Sequence, residues 1–426
     1  MNLRIFVLAV LITLPAVSRS ETLQQAWATA IQFDQRIAAV EAERDAANHN
    51  VRSAKASRYP RVDLLGSFTQ LDSAPRFVFG DSFVSPKIFA DDNFVNAGVQ
   101  VELPLFTSGL IPNQISAAKS VADASQAQLE AVRQDILLDV AQKYISVLRA
   151  SSAVSVAQSS VKTLASHADD AKNQFEFGAV PKNDYLAASV SLANSQQRKL
   201  QAANQLDLAH AAYNRLLGRP LADSVALDPD LPTDTLVDEK NLNNLTQLAL
   251  QNRQELSGLS ARAEALRNKS TAERASSRPQ LALTGGYNFM ENEVLDRNEF
   301  WAVGVTLKWN LFDGGQTRQR AAASELDSIA VQHRLTDLKS RIELQVRQAW
   351  LDCSESANRK TVAESAVQQA VENLQVARDR YAAGAGTNTE VLDAEELHVQ
   401  TLNNRDNARF DEAFAKLRLT RAIGAL

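Results

Sequence analysis

Four segments of the chain alternate apolar and polar residues with a period of two. Between Phe94 and Leu105, Ala97, Val99, Val101 and Leu103 fall on one face and Asn96, Gly98, Gln100 and Glu102 on the other. Between Phe300 and Leu311, the faces are Trp301, Val303, Val305, Leu307 and Trp309 against Ala302, Gly304, Thr306, Lys308 and Asn310. Val62, Leu64, Gly66 and Phe68 make a face of the same kind as Leu281, Leu283, Gly285 and Tyr287. Successive side chains of a strand point to opposite sides. The pattern therefore predicts strands over 61–70, 94–105, 280–289 and 300–311, each with one apolar face. About ten residues with an apolar face and aromatics near the ends is the signature of a transmembrane barrel strand. A half-buried sheet packed on a helix would explain any one segment, but four matched segments favour the barrel. Four strands cannot close, and a bilayer tolerates no open sheet edge. The barrel must be completed by further chains, four strands times an integer above one.

Elsewhere the period lengthens. Residues 108–177 hold no proline beyond Pro112 and residues 314–383 hold none, so each run of 70 is a candidate helix. At 1.5 Å per residue such a helix would be about 105 Å long, several times the diameter of an ordinary domain. Val367, Ala370, Leu374, Ala377 and Tyr381 alternate spacings of three and four, a heptad seam. Shorter helical stretches are expected at 21–57, 183–217, 241–277 and 388–423. Reversals between helices fall at Phe177-Gly178-Ala179-Val180-Pro181 and Ala383-Gly384-Ala385-Gly386, where glycine and proline break the helix.

The elements occur twice. Val62-Asp-Leu-Leu-Gly-Ser-Phe68 is echoed by Leu281-Ala-Leu-Thr-Gly-Gly-Tyr287. Phe94, Gly98, Val99, Leu105 and Phe106 return as Phe300, Gly304, Val305, Leu311 and Phe312, and Arg215 and Gly218 as Arg421 and Gly424. The spacing between copies shortens between Gln70 and Phe94, which places extra residues in a loop joining two strands, where insertion is tolerated. The expected layout is a first repeat over 21–218, a linker over 219–240 with Pro220, Pro229 and Pro232, and a second repeat over 241–426.

Composition adds limits. With 45 basic and 50 acidic residues the chain is mildly acidic, which argues against a nucleic-acid partner. Residues 1–20 carry an apolar run from Ile5 to Leu14, then Pro15 and small residues, the pattern of a secretory signal peptide. Cys353 is the single cysteine, so no intrachain disulfide, thiol metal cluster or lipidated N-terminal cysteine is expected. His49, His167, His210, His333 and His398 stand isolated, without metal-ligand spacing. No phosphate loop, dinucleotide fingerprint or nucleophile elbow is present. Gly314-Gly315 lacks the further glycine and lysine of a phosphate loop and reads as a tight strand-to-helix corner. No catalysis and no cofactor are expected, and the energy for any transport must come from a partner.

The duplicated strand-pair and long-helix repeat, the signal peptide, Leu311-Phe-Asp-Gly-Gly315 and Leu216-Leu-Gly218 together resemble the TolC-like outer-membrane efflux proteins. Arg380-Tyr381-Ala382-Ala383-Gly384 followed by Glu390-Val391-Leu392-Asp393-Ala394 is similar to that family's periplasmic tip. The resemblance implies a homotrimer in the outer membrane: twelve strands in one shared β-barrel, and helical hairpins in an α-barrel tunnel through the periplasm. It implies a tip closed by a helical iris, and partnership with a periplasmic adaptor protein and an inner-membrane pump. Glu390 and Asp393, three apart on one helical face, would form an acidic ring at the pore's narrowest point. Asp184 and Tyr381 match positions that hold the iris closed through an arginine, but Gly386 stands where that arginine would be. The turns Gly178-Ala179-Val180 and Gly384-Ala385-Gly386 would meet the adaptor. Without the resemblance, Glu390 and Asp393 read as a solvated face and Asp184 as a helix N-terminal acid favoured by the dipole.

Two other classes share some of these features. A periplasmic adaptor also has a signal peptide and a helical hairpin, but not two matched copies with bilayer-length strands. A structural coiled coil would not need lipid-facing strands.

Overall fold

The computed structural model describes residues 20–76, 88–89, 91–231, 241–292 and 296–426. Residues 1–19 of the expected signal peptide fall outside these residues, as do part of the loop after Gln70 and the last part of the expected linker. The chain runs α1 (Leu23–Phe33), α2 (Gln35–Ala56), β1 (Arg61–Gln70), β2 (Asn93–Phe106), α3 (Leu110–Glu176), α4 (Lys182–Leu216), α5 (Leu242–Asn252), α6 (Gln254–Ser276), β3 (Gln280–Met290), β4 (Glu299–Lys308), α7 (Gln316–Ala382) and α8 (Asn388–Ala422). The long helices α3 and α7 have 67 residues each, and α4 and α8 have 35 each.

The strands form one antiparallel sheet in the order β1-β2-β3-β4. Val62 faces Val101 and Leu64 faces Val99 in the first hairpin, and Leu281 faces Leu307 and Leu283 faces Val305 in the second. These are repeat-equivalent pairs, so the two hairpins share one register. Because a one-residue slip would turn every apolar side chain to the other face, the alternation itself sets this register. On the apolar face Leu64 is 81% and Trp301 74% exposed within the single chain. The other face carries the Arg61–Asp63 ion pair at 2.7 Å and the Thr284–Thr306 contact at 3.1 Å. Along that polar face Gly286 sits so close to β2 that an added Cβ would lie 2.9 Å from the Val99 carbonyl oxygen.

β4 ends at Lys308, earlier than the alternation through Trp309 suggests. Lys308 pairs with Gln280, the first residue of β3, and the next partner would be Pro279, which has no N–H to donate. The strand-to-helix corner has Gly314 and Gly315 both in the left-handed region (φ 66° and 83°), as expected of a tight corner. Asp313 then caps α7, accepting from the N–H groups of Gly315 and Thr317, both at 2.9 Å. Two expected helices are interrupted. The stretch 21–57 breaks at Asp34, whose side chain accepts from the Arg36 N–H at 2.7 Å, and 241–277 breaks at Arg253, where the backbone turns extended.

The chain packs as two compact units. One takes in the residues up to Ala38, Val132–Asn252 and Ile342–Leu426; the other takes in Ala39–Ala131 and Arg253–Arg341, including the sheet. Each draws on both copies. The first is centred on fully buried Tyr144, Tyr213, Leu217, Leu245 and Leu419, with the two tyrosine rings edge to face at 6.1 Å. The Tyr144 hydroxyl shares its one proton between the carbonyls of Glu21 and Asp228 (2.7 and 2.8 Å), and Arg219 grips the Glu21 carboxylate at 2.8 and 2.7 Å. The start of the linker is thereby held against α3 and α4. No described helix is long and apolar enough to cross a membrane.

Candidate functional site

Within the first unit, the α3–α4 and α7–α8 hairpins end in two reversals of the same design. Gly178 (φ 76°) follows α3: its N–H bonds the Phe175 carbonyl at 2.9 Å and that of Ala179 bonds Gln174 at 2.8 Å. Gly384 (φ 71°) follows α7: its N–H bonds Tyr381 at 3.0 Å and that of Ala385 bonds Arg380 at 2.8 Å. Both are Schellman closures, in which a left-handed glycine lets the last carbonyls of the helix be satisfied. Thr387 then caps α8 by accepting from the Glu390 N–H. The reversal residues Gly178, Ala179, Gly384 and Ala385 are exposed, whereas Val180 is half-buried and packs against the neighbouring core.

That core consists of Leu374, Ala377 and Tyr381 from the α7 heptad seam with Val391 and Ala394 of α8. Burying Val391 and Ala394 turns Glu390 and Asp393 outward, and both are exposed. The two carboxylates share a solvated face as their spacing implies, with the Arg380 guanidinium 3.8 Å from Glu390.

Gly386 has a packing reason of its own. A Cβ there would meet Arg380 Cβ at 3.0 Å and the Tyr381 nitrogen at 3.1 Å. The turn folds back closely on the end of α7, so a side chain at this position would need its neighbours to shift by a few tenths of an ångström. Asp184 and Tyr381 do not form a side-chain hydrogen bond either. The Tyr381 hydroxyl is buried without a hydrogen-bond partner, and burial, with Asp184 and Asp170 nearby, raises its pKa above the ordinary value. A phenol held this way contributes through its ring. Tyr381→Phe should therefore leave the thermal midpoint unchanged or raise it, by at most about 1 kcal/mol of stability, because an unsatisfied buried hydroxyl is removed. A clear loss of stability in a melting experiment would show that the hydroxyl has a partner.

Sequence reasoning missed His167, which it left isolated. The His167 Nε2 lies 2.7 Å from the Asn388 side-chain oxygen, both residues are buried, and the Asn388 amide donates to the Asp184 carbonyl at 3.1 Å. The His167 ring stands edge-on to Tyr381, centroids 5.3 Å apart. The two copies differ here, His167 matching Asn373 and Asn388 matching Lys182. That asymmetry within a duplication was the available signal.

About two turns further along α8, Glu395 is 3% exposed. Its Oε2 makes no hydrogen bond, although the Arg378 guanidinium is 3.5 Å and the His398 ring 3.9 Å away. Burial pushes its pKa up, opposed by a hydrogen bond from Ser160 and by the charge of Arg378. The ionised form is thus the costly one: stability is full below the ordinary glutamate value of 4.5 and falls as pH rises through the elevated folded value. Glu395→Gln should melt higher than the parent at pH 7, and the difference should vanish as pH approaches 4.5. A difference independent of pH would locate the effect elsewhere.

A sheet with one apolar face and two unpaired edges, built with paired helical hairpins, defines a subunit of an outer-membrane channel. The chain belongs to the outer membrane efflux protein family, whose model matches residues 27–219 and 245–425. It is 24% identical over 442 residues to outer membrane protein TolC of Vibrio cholerae, covering 100% of this chain and 95% of that one. It is 28% identical over 319 residues to the alkaline protease secretion protein AprF of Pseudomonas aeruginosa, covering 72% of this chain and 66% of that one. The solved structure of outer membrane protein VceC from Vibrio cholerae has the same fold, with a TM-score of 0.80 at 19% identity over 94% of this chain and 96% of that one. The protein is an outer-membrane efflux channel, and the proteins it matches are channels rather than enzymes.

Proposed function

We propose that three copies close their four-stranded sheets into a twelve-stranded barrel, with the helical hairpins forming a tunnel across the periplasm. The observation that carries this is the sheet itself, apolar on one face and unpaired at β1 and β4; an open edge is not stable in lipid. In this reading 21–218 and 241–426 are the two repeats, joined by the linker 219–240 and preceded by a leader removed on export. Small molecules or polypeptides pass from an inner-membrane pump and its periplasmic adaptor to the exterior, with the pump as the energy source. The adaptor meets the two reversals, Gly178-Ala179-Val180 and Gly384-Ala385-Gly386. Glu390 and Asp393 of three chains form the ring at the narrow end. Opening moves one hairpin against the other, with Asp184 and Tyr381 at the seam, as the adaptor changes which packing is favoured.

The test is single-channel recording from detergent-purified protein in a planar bilayer, with a trivalent cation added to either side. A small, cation-selective conductance, blocked from one side, is the expected result. A protein that stays soluble without detergent and does not conduct would remove this reading.

A further inference from the structure

We infer that the closed tip of this chain is latched by Asn388 and His167, in place of an arginine link from the position of Gly386. The inference rests on the gated-channel reading above.

Gly386 has no side chain to make such a link, and a Cβ there would sit tightly against Arg380 and Tyr381. Asn388 occupies the first turn of α8 and is 3% exposed. Through its oxygen it reaches His167 on α3, and through its amide the Asp184 carbonyl on α4. His167 in turn abuts Tyr381 on α7. One side chain therefore ties the α7–α8 hairpin to both helices of the other. The amide orientation follows from its partners: a carbonyl can only accept, so the nitrogen faces Asp184 and the oxygen accepts from His167 Nε2–H.

Position and burial give this link its weight. The next tie between α4 and α8 is Arg198 to Glu396, one guanidinium nitrogen 2.9 and 2.7 Å from the two carboxylate oxygens but largely solvated, and exposed ion pairs contribute little. The single Asn388–His167 hydrogen bond joins two buried residues. Separating the hairpins breaks the hydrogen bond between two buried polar side chains, Asn388 and His167, so the closed arrangement is favoured. Asn388 and His167 are positioning residues for the gate and need not touch cargo.

Four variants test this by planar-bilayer recording on purified trimers. Asn388→Ala and His167→Leu should each raise the open fraction about tenfold, and the double variant no further, because both remove one link. His167→Gln keeps a donor and should stay near the parent, a rescue that a purely packing role would not give. Parent-like closure in both Asn388→Ala and His167→Leu, with cation block still abolished by removing Glu390 and Asp393, overturns the latch and leaves the gate standing. A parent channel that is already fully open overturns the gated reading, and the latch with it.

Discussion

Val303→Arg should abolish the heat-resistant trimer and the membrane-inserted form, whereas Thr306→Arg on the same strand should not. Val303 lies mid-strand on the apolar face of β4, level with Gly285 and among Trp301, Val305 and Leu283. An arginine on the lipid face near the midplane costs about 2–4 kcal/mol per chain, and threefold symmetry repeats the cost in every barrel. Thr306 is on the opposite face, against Ala282 and close to Thr284, where the proposed barrel is filled with water and a charge keeps its hydration. Each variant is purified from outer membranes and run unheated on a denaturing gel. A trimer band from Val303→Arg would mean this face does not meet lipid, and equal loss in both variants would mean the strand tolerates no change of size.

That contrast rests on the part of the fold most legible in the sequence. Strand alternation has a period of two, so ten residues suffice to name both the element and its faces, and duplication supplied a second reading of each. The long helices were visible for a different reason: one stretch of 70 residues with no proline, and another with only Pro112 near its start, leave few alternatives. What stayed hidden depends on contacts between residues far apart in the chain. The break at Asp34 is a local cap competing with helix continuation, and Asp fits either role. The early end of β4 is decided by Pro279, a residue on its neighbour rather than on the strand itself.

The tip divides the same way. Spacing put Glu390 and Asp393 on one face, and the reversals follow from their glycines. The Asn388–His167 contact joins positions 221 apart, and each residue looks ordinary on its own helix. Gly386 also showed a limit of residue-by-residue transfer. Resemblance marked it as a departure, while the turn geometry explains it through crowding on Arg380 and Tyr381.

Glu390→Ala combined with Asp393→Ala should remove multivalent-cation block while leaving trimer assembly intact. Both carboxylates are exposed and neither supports the buried cluster of Leu374, Ala377, Tyr381, Val391 and Ala394, so folding loses almost nothing. In the proposed trimer the pair would become six negative charges around the narrow opening. Neighbouring charges act together on a trivalent ion, and their combined attraction grows with ion charge where water is scarce. The loss of block should therefore be steep, at least about tenfold in the blocking concentration, and steeper for trivalent than for divalent cations. Arg380, 3.8 Å from Glu390, offsets part of that carboxylate's charge, so Asp393→Ala alone should weaken block more than Glu390→Ala alone. Titrating a trivalent cation against single-channel current in the parent, the two single variants and the double variant gives all four values. Unchanged block in the double variant would place the constriction elsewhere along the tunnel and sink the assignment of these two residues to the pore.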